Sequence, residues 1–159
     1  MKNLIILLFL ITACQVHAQT ELPEVSLKNI KGKKINLQEL SKDKPVVLSF
    51  WATWCTPCMR ELDAIKEDYT EKQNEFGFEL VAIATDDART KQRVKTESLG
   101  RSWPYEILLD TRNEIIRALG NPQIPLTLIV KNNKIVYRHS SFTPGAEDEL
   151  FEEFQKHLN

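Results

Sequence analysis

The sequence has no cluster of basic residues along the chain, and its formal net charge is −1, so nothing in the composition points to nucleic acid binding. It also has no heptad repeat, internal repeat or low-complexity segment. The apolar run Leu4 to Ile11 is too short for a membrane-spanning helix, which needs about 20 apolar residues. What is present, 159 residues that are 42% hydrophobic and 27% charged, suits one domain with a core of its own.

The N-terminus has the pattern of a signal peptide, because the positive segment 1–3 precedes the apolar run. Two processing sites compete. Val16-His17-Ala18 favours cleavage that leaves Gln19 first, whereas Ile11-Thr12-Ala13-Cys14 resembles a bacterial lipobox, which would leave a lipid on Cys14. The alternative to a signal peptide is a buried N-terminal strand. Either processing route predicts an exported protein, with a signal peptide over 1–18 (or a lipoprotein signal over 1–13) and a single domain over 19–159.

Both routes remove Cys14 from the disulfide count and leave only Cys55 and Cys58. These two cysteines form a CxxC motif directly after the apolar run 46–51, where a buried strand is expected to turn into a helix. The unpaired N–H groups and the dipole of a helix N-terminus favour a thiolate at the first cysteine. We therefore expect Cys55 to be the nucleophile and Cys58, one turn further on, to resolve a mixed disulfide.

The remaining pattern predicts strands that first alternate with helices and then finish with a hairpin and a helix. This order implies a mixed sheet with helices on both faces. The predicted elements are a hairpin over 25–37, a strand over 46–51, a helix over 56–74 that ends at Gly77, a strand over 78–84, a helix between Asp86 and Leu99 with Asp86 or Asp87 as N-cap, a strand over 105–109, a helix over 113–119, strands over 126–130 and 134–138, and a helix over 145–158.

The chain resembles the thioredoxin superfamily, and most closely its exported TlpA/ResA/DsbE-type members. The resemblance is carried by the motif FWATWCTPC over 50–58, by Glu61 and by Ile124-Pro125-Leu126, with weaker support from the N-terminal hairpin and the stretch 77–100. It covers nearly all of the chain after the signal. It implies an α/β, thioredoxin-like fold: a mixed central sheet flanked by helices, with an N-terminal β-hairpin and a strand–helix insertion.

The resemblance also implies roles for individual residues. Cys55 and Cys58 would form the redox-active disulfide, and Pro125 would follow a cis peptide bond opposite it, although the sequence alone favours trans. The backbone N–H and C=O of Ile124 would then be free to pair with an extended substrate segment. The substrate-binding residues expected on this basis are Trp54, Thr56, Pro57, Ile124 and Pro125.

Glu61 is the expected proton acceptor for Cys58. Thioredoxin carries a buried Asp where this chain has Ser49, and in the TlpA/ResA-like branch an acidic residue three positions after the second cysteine takes its place. That spacing puts Glu61 beside Cys58 on one helix face. The role requires a pKa raised by burial; the alternative is a solvated Glu in the first helical turn. The family often has Pro where this chain has Asp63, which casts doubt on the local helix geometry.

Other aromatic and histidine side chains are expected to be structural. Trp51 is assigned to the core and Trp103 to packing, while His17, His139 and His157 have no convincing catalytic partner. No metal site and no cofactor are expected beyond the Cys55–Cys58 disulfide itself.

The resulting hypothesis is an exported thiol–disulfide oxidoreductase that reduces protein disulfides. The resemblance implies electrons from a membrane thiol–disulfide reductase and protein targets such as apocytochrome c. We also expect a monomer. Thr56 and Pro57 add no cation that would strongly stabilise the thiolate, which favours a reductant. A peroxide reducer is disfavoured because the expected Thr-x-x-Cys spacing is missing. A Cu(I) chaperone, with His139 as a further ligand, and a redox-silent binding module remain the alternatives.

Overall fold

The computed structural model describes residues 21–158. Within that range the chain forms seven strands and five helices. The strands are β1 (Ser26–Asn29), β2 (Lys34–Asn36), β3 (Val46–Trp51), β4 (Glu79–Ala84), β5 (Glu106–Leu109), β6 (Leu126–Lys131) and β7 (Lys134–Ser140). The helices are α1 (Leu37–Leu40), α2 (Thr56–Phe76), α3 (Lys91–Gly100), α4 (Glu114–Ala118) and α5 (Ala146–Leu158).

The strands form one mixed sheet in the order β2-β1-β5-β4-β3-β6-β7. Strand β4 pairs with both β3 and β5, and these three strands run parallel. The other pairs in the sheet, β1–β2, β1–β5, β3–β6 and β6–β7, are antiparallel. The N-terminal hairpin lies at one edge, and the β6–β7 hairpin turns at Asn132 and Asn133, both with positive φ, at the other. The predicted mixed α/β fold is confirmed.

Strand β3 lies near the middle of the sheet and is buried along its whole length. Its alternating side chains enter two separate cores, as expected for a strand covered on both faces. Val47 and Trp51 pack under α2, α3 and α5, whereas Leu48 and Phe50 pack under α1 and α4. The end of β3 is therefore held from both sides at the point where the CxxC motif begins.

One predicted helix boundary was wrong, and one helix was not predicted. Helix α3 begins at Lys91 rather than near Asp86, because Asp87 instead closes a turn over 87–90 by accepting hydrogen bonds from the backbone N–H groups of Arg89 and Thr90. The four-residue helix α1 follows β2 directly; the sequence pattern places only its first residue, Leu37, at the end of a strand. Its N-cap is Asn36, whose side chain accepts from the Gln38 N–H.

The predicted signal peptide, both processing sites and Cys14 lie outside the described residues. Within residues 21–158, no helix is long and apolar enough to cross a membrane.

Candidate active site

The CxxC motif occupies the junction between β3 and α2. Cys55 is the N-cap of α2, and its Sγ accepts a hydrogen bond from the Cys58 N–H at 3.3 Å. Pro57 lies in the first turn, where its missing N–H costs no helical hydrogen bond. Cys55 and Cys58 are joined in a disulfide. The sulfurs therefore lie at the positive end of a 21-residue helix.

The two cysteines differ in their surroundings. Cys58 is fully buried and Cys55 retains a small exposed fraction of 5%. Trp54, Thr56 and Pro57 beside them are exposed, and the Trp54 side chain is 72% exposed. An approaching partner would meet these three side chains and the edge of Cys55 before it could meet Cys58.

Asp86 holds the turn that leads into the motif. Its carboxylate accepts hydrogen bonds from the Thr53 N–H at 2.9 Å and from the Thr53 hydroxyl at 2.5 Å, and Asp86 is itself only 3% exposed. The sequence interpretation missed this contact because it treated Asp86 as a helix cap. Its position two residues after β4, at the same sheet edge as the motif, was the available signal.

The Ile124–Pro125 peptide bond is cis, as expected. Pro125 is buried, and Ile124 is half-buried and packs against both cores. Among the described residues, the backbone N–H and C=O of Ile124 have no hydrogen-bond partner. Ile124 and Trp54 line a common groove of about 470 Å³, together with Thr85, Asn113, Ile116 and the segment 121–123. The structure thus places Trp54 and Ile124 together.

Glu61 lies on the buried face of α2 and is 4% exposed. Its Oε1 accepts a 2.6 Å hydrogen bond from the hydroxyl of Thr127 on β6. Burial raises the pKa of Glu61 to about 7, while the hydroxyl of Thr127 opposes that rise and the charge of Glu147 adds to it. The carboxyl is therefore poised to exchange a proton near neutral pH, and the alternative of a solvated Glu is wrong.

Asp63 takes part in a contact between α2 and the chain after α3. It accepts hydrogen bonds from the Arg101 guanidinium at 2.5 Å and from the Trp103 Nε1–H at 2.8 Å. Trp103 in turn packs edge-on against buried Trp51, with ring centroids 4.8 Å apart. Helix α2 runs through this position without interruption. The Asp that replaces the family's Pro therefore anchors Trp103, and the core and packing roles predicted for Trp51 and Trp103 are confirmed.

His139 does not join the cysteines. It lies on β7 with its ring stacked on Tyr137. In the part of the chain that the structure describes, no three His, Cys, Asp or Glu side chains are grouped as ligands for a metal ion.

Comparison with known proteins shows that residues 18–139 match the AhpC/TSA family. The thiol-disulfide oxidoreductase ResA of Halalkalibacterium halodurans is 31% identical over 131 residues, which are 82% of this chain and 70% of that protein. ResA of Bacillus thuringiensis subsp. konkukian is 34% identical over 119 residues, 73% of this chain; the match spans 65% of the length of that relative.

Solved structures show the same fold. A thioredoxin-like protein from Porphyromonas gingivalis has a TM-score of 0.75 and 43% identity, with 86% of this chain and 91% of that chain covered. A putative thiol:disulfide interchange protein DsbE from Chlorobium tepidum has a TM-score of 0.75 at 23% identity, with 88% and 96% covered, a likeness that concerns the fold alone.

Proposed function

This chain belongs to the AhpC/TSA family and is homologous to the ResA proteins, and on that premise we propose that it is a thiol–disulfide oxidoreductase whose redox-active group is the Cys55–Cys58 pair. The observation that carries the proposal is the unequal placement of the two sulfurs. One lies at a helix N-terminus beside an exposed surface, and the other is buried within the same helical turn. This arrangement suits a nucleophile and a resolving thiol.

In the reducing direction, the reaction begins with the dithiol. The Cys55 thiolate attacks one sulfur of a substrate disulfide, forming an S–S bond between Cys55 and the substrate and releasing the other substrate sulfur as a thiolate. Cys58 then loses its proton and attacks the Cys55 sulfur. The second substrate thiolate leaves, and the Cys55–Cys58 disulfide forms. Two electrons pass from the enzyme to the substrate.

Glu61 is the proposed acceptor of the Cys58 proton. The two residues are three positions apart on α2, and both are buried. With its pKa raised to about 7, Glu61 is a far better base than an exposed Glu and is still partly ionised at neutral pH. The hydroxyl of Thr127 holds the carboxyl in place.

The substrate side is formed by the groove between Trp54 and Ile124. The unpaired backbone N–H and C=O of Ile124 can bond to an extended peptide in the manner of an added strand, which recognises backbone rather than sequence. This favours protein disulfides as substrates, bound through Trp54, Thr56, Pro57, Ile124 and Pro125.

The setting we propose is extracytoplasmic, with electrons supplied by a membrane thiol–disulfide reductase and passed to protein targets such as apocytochrome c. The signal-peptide pattern at the N-terminus and the homology to ResA support this setting. The reducing direction rests on Thr56 and Pro57, which bring no cation to the thiolate. We further propose a monomer, which carries a lipid on Cys14 if processing follows the lipobox rather than the site at Ala18.

A trapping experiment tests the activity. Cys58→Ser should accumulate a mixed disulfide between Cys55 and a disulfide-containing peptide, visible by mass spectrometry and lost on adding dithiothreitol. Cys55→Ser should form none, and the wild-type protein should release reduced peptide. Equilibration of the wild-type protein in dithiol buffers should give a reduction potential closer to about −270 mV than to about −120 mV. A pair that cannot be cycled between dithiol and disulfide would refute the proposal and favour Cu(I) binding.

A further inference from the structure

A second concave surface, the basic cleft, lies on the sheet beyond the groove at Trp54. It has a volume of about 770 Å³ and is formed by β1, β2, the start of α3 and the loop between β5 and α4. Lys28, Lys34, Lys91 and Arg112 line it. These four residues are far apart in the sequence, and for that reason no cluster of basic residues is visible along the chain.

The acidic residues that line the basic cleft do not pair with its lysines. Arg112 pairs with Glu114 at 2.6 Å. Asp110 is 1% exposed and turns its carboxylate inward to the N–H groups of Glu114, Ile115 and Ile116 at the start of α4. Within residues 21–158 none of the three lysines forms an ion pair.

The positions of these lysines are unfavourable for the fold itself. Lys28 and Lys34 face each other directly across β1 and β2, where like charges are destabilising. Lys91 is the first residue of α3, next to the positive end of the helix dipole, and the first turn contains no acidic residue. Arrangements that break local rules in this way are expected where a surface serves a ligand.

The basic cleft lies next to the groove at the disulfide. Asn113 lines the groove together with Trp54, and its neighbours Arg112 and Glu114 line the basic cleft. Both lie at the end of the sheet where β3, β4 and β5 finish, since Asp110 follows β5 and its N–H donates to the carbonyl of Ala84 at the end of β4. A polypeptide bound in the groove could therefore extend into the basic cleft.

We propose that the basic cleft binds an acidic segment of the protein whose disulfide this chain reduces. The inference rests on the proposed function and names the class of substrate: polypeptides that carry Asp or Glu residues some distance from the reactive cysteines. Lys28, Lys34 and Lys91 supply the complementary charge. A concave shape next to the peptide groove fits a polypeptide better than the flat surface of a membrane.

The test uses three peptides with one common disulfide and a tail of Glu, Ser or Lys residues. For the wild-type protein, kcat/KM should be highest for the peptide with the Glu tail, lower for the Ser tail and lowest for the Lys tail. The Glu-to-Ser ratio of kcat/KM should be about fivefold or more at low ionic strength. The ratio should approach one as the Debye length falls from about 30 Å at 0.01 M to about 3 Å at 1 M salt.

Lys28→Gln/Lys34→Gln/Lys91→Gln should bring the Glu-to-Ser ratio close to one. A matched variant, Lys42→Gln/Lys72→Gln/Lys156→Gln, makes the same change in net charge on surfaces away from the cleft and should keep the wild-type ratio. Equal ratios in the two variants would overturn the proposal. So would a cleft variant that loses binding to phosphatidylglycerol vesicles but keeps its peptide preference, because the cleft would then serve a membrane.

A cysteine-free Glu-rich peptide separates this inference from the proposed activity. Fluorescence anisotropy should show binding to the wild-type protein that the cleft variant loses, whether or not any disulfide is reduced. Failure to reduce any of the three peptides would count against the proposed function alone. Absence of binding by the Glu-rich peptide would overturn the basic cleft as an acidic-segment site even if reduction proceeds.

Discussion

The hydroxyl of Thr127 on β6 donates a 2.6 Å hydrogen bond to Oε1 of Glu61 on α2 and so connects the strand that follows the cis proline to the helix that carries both cysteines. The bond lowers the pKa of Glu61 against the larger effect of burial, which raises it. These two opposing effects together set the pKa of Glu61, and so the pH range in which it can accept a proton.

Thr127→Val removes this donor while keeping the shape of the side chain. The pKa of Glu61 should rise further above 7, because the ionised carboxylate loses a hydrogen bond. The pH profile for release of reduced product from the mixed disulfide should shift to higher pH, as measured by stopped-flow in single turnover. Thr127→Ser retains a hydroxyl and should keep the wild-type profile. An unshifted Thr127→Val profile would show that Glu61 does not set the rate.

Glu61 should make the oxidised protein less stable at alkaline pH. Its folded pKa of about 7 lies above the ordinary value of 4.5, so the folded state holds the proton more tightly than the unfolded state. Stability should therefore fall as the pH rises from about 4.5 to about 7 and then level off, by an amount on the order of 3 kcal/mol.

Urea unfolding of wild-type protein and Glu61→Gln checks this sign. The Gln variant should gain stability relative to wild type between pH 4.5 and pH 8, since it has no carboxyl to ionise. The difference in the free energy of unfolding between the two proteins at pH 4.5 serves as the control, because it reports the replacement of a carboxyl by an amide without the effect of ionisation. A wild-type protein that loses no more stability than Glu61→Gln over this range would contradict the raised pKa.

Asp86 and Thr53 should be energetically coupled. Their two hydrogen bonds fix the turn before the CxxC motif, and Asp86 is buried, so the loss of either partner leaves polar groups unsatisfied. A double-mutant cycle of Asp86→Ala and Thr53→Val, measured by urea unfolding, should give a coupling energy of about 1–3 kcal/mol. Additive effects would mean that the hydrogen bond from the Thr53 hydroxyl to Asp86 contributes nothing to the turn.

Trp54→Ala should impair substrate binding with little effect on folding. Its side chain is 72% exposed, so its removal should change the free energy of unfolding by no more than about 0.5 kcal/mol. The KM for a disulfide peptide should rise severalfold, because Trp54 forms one wall of the groove. Leu99→Ala is the matched control, since Leu99 is 61% exposed and lies at the far end of α3. Equal KM values for the two variants would remove Trp54 from the binding surface.

The features that the sequence predicted are those with a local pattern. The buried strand 46–51, the following helix and the hairpin at Asn132 and Asn133 depend on apolar runs, helical spacing and turn residues. Helix α1 escaped prediction because four residues are too few to show periodicity.

The contacts that shape the site are of another kind. Asp86 with Thr53, Thr127 with Glu61, and Asp63 with Trp103 join positions 33 to 66 residues apart, through one or two hydrogen bonds that leave no repeating signal. The same holds for the basic cleft, whose lysines come together only when β1, β2 and α3 pack. The motif, Glu61 and Pro125 could thus be found from the sequence and its family resemblance, whereas Asp86 and Thr127, which hold the motif and Glu61, required the fold.

The backbone N–H of Cys58 is placed to report the redox state of the Cys55–Cys58 pair. It donates to the sulfur of Cys55, the atom that would change from disulfide to thiolate in the proposed reaction. An anionic sulfur accepts a stronger hydrogen bond than a neutral one. The first turn of α2 therefore gains a better cap each time the pair is reduced. The amide proton of Cys58 becomes a native spectroscopic probe, whose NMR shift and exchange rate follow the redox cycle without any added label.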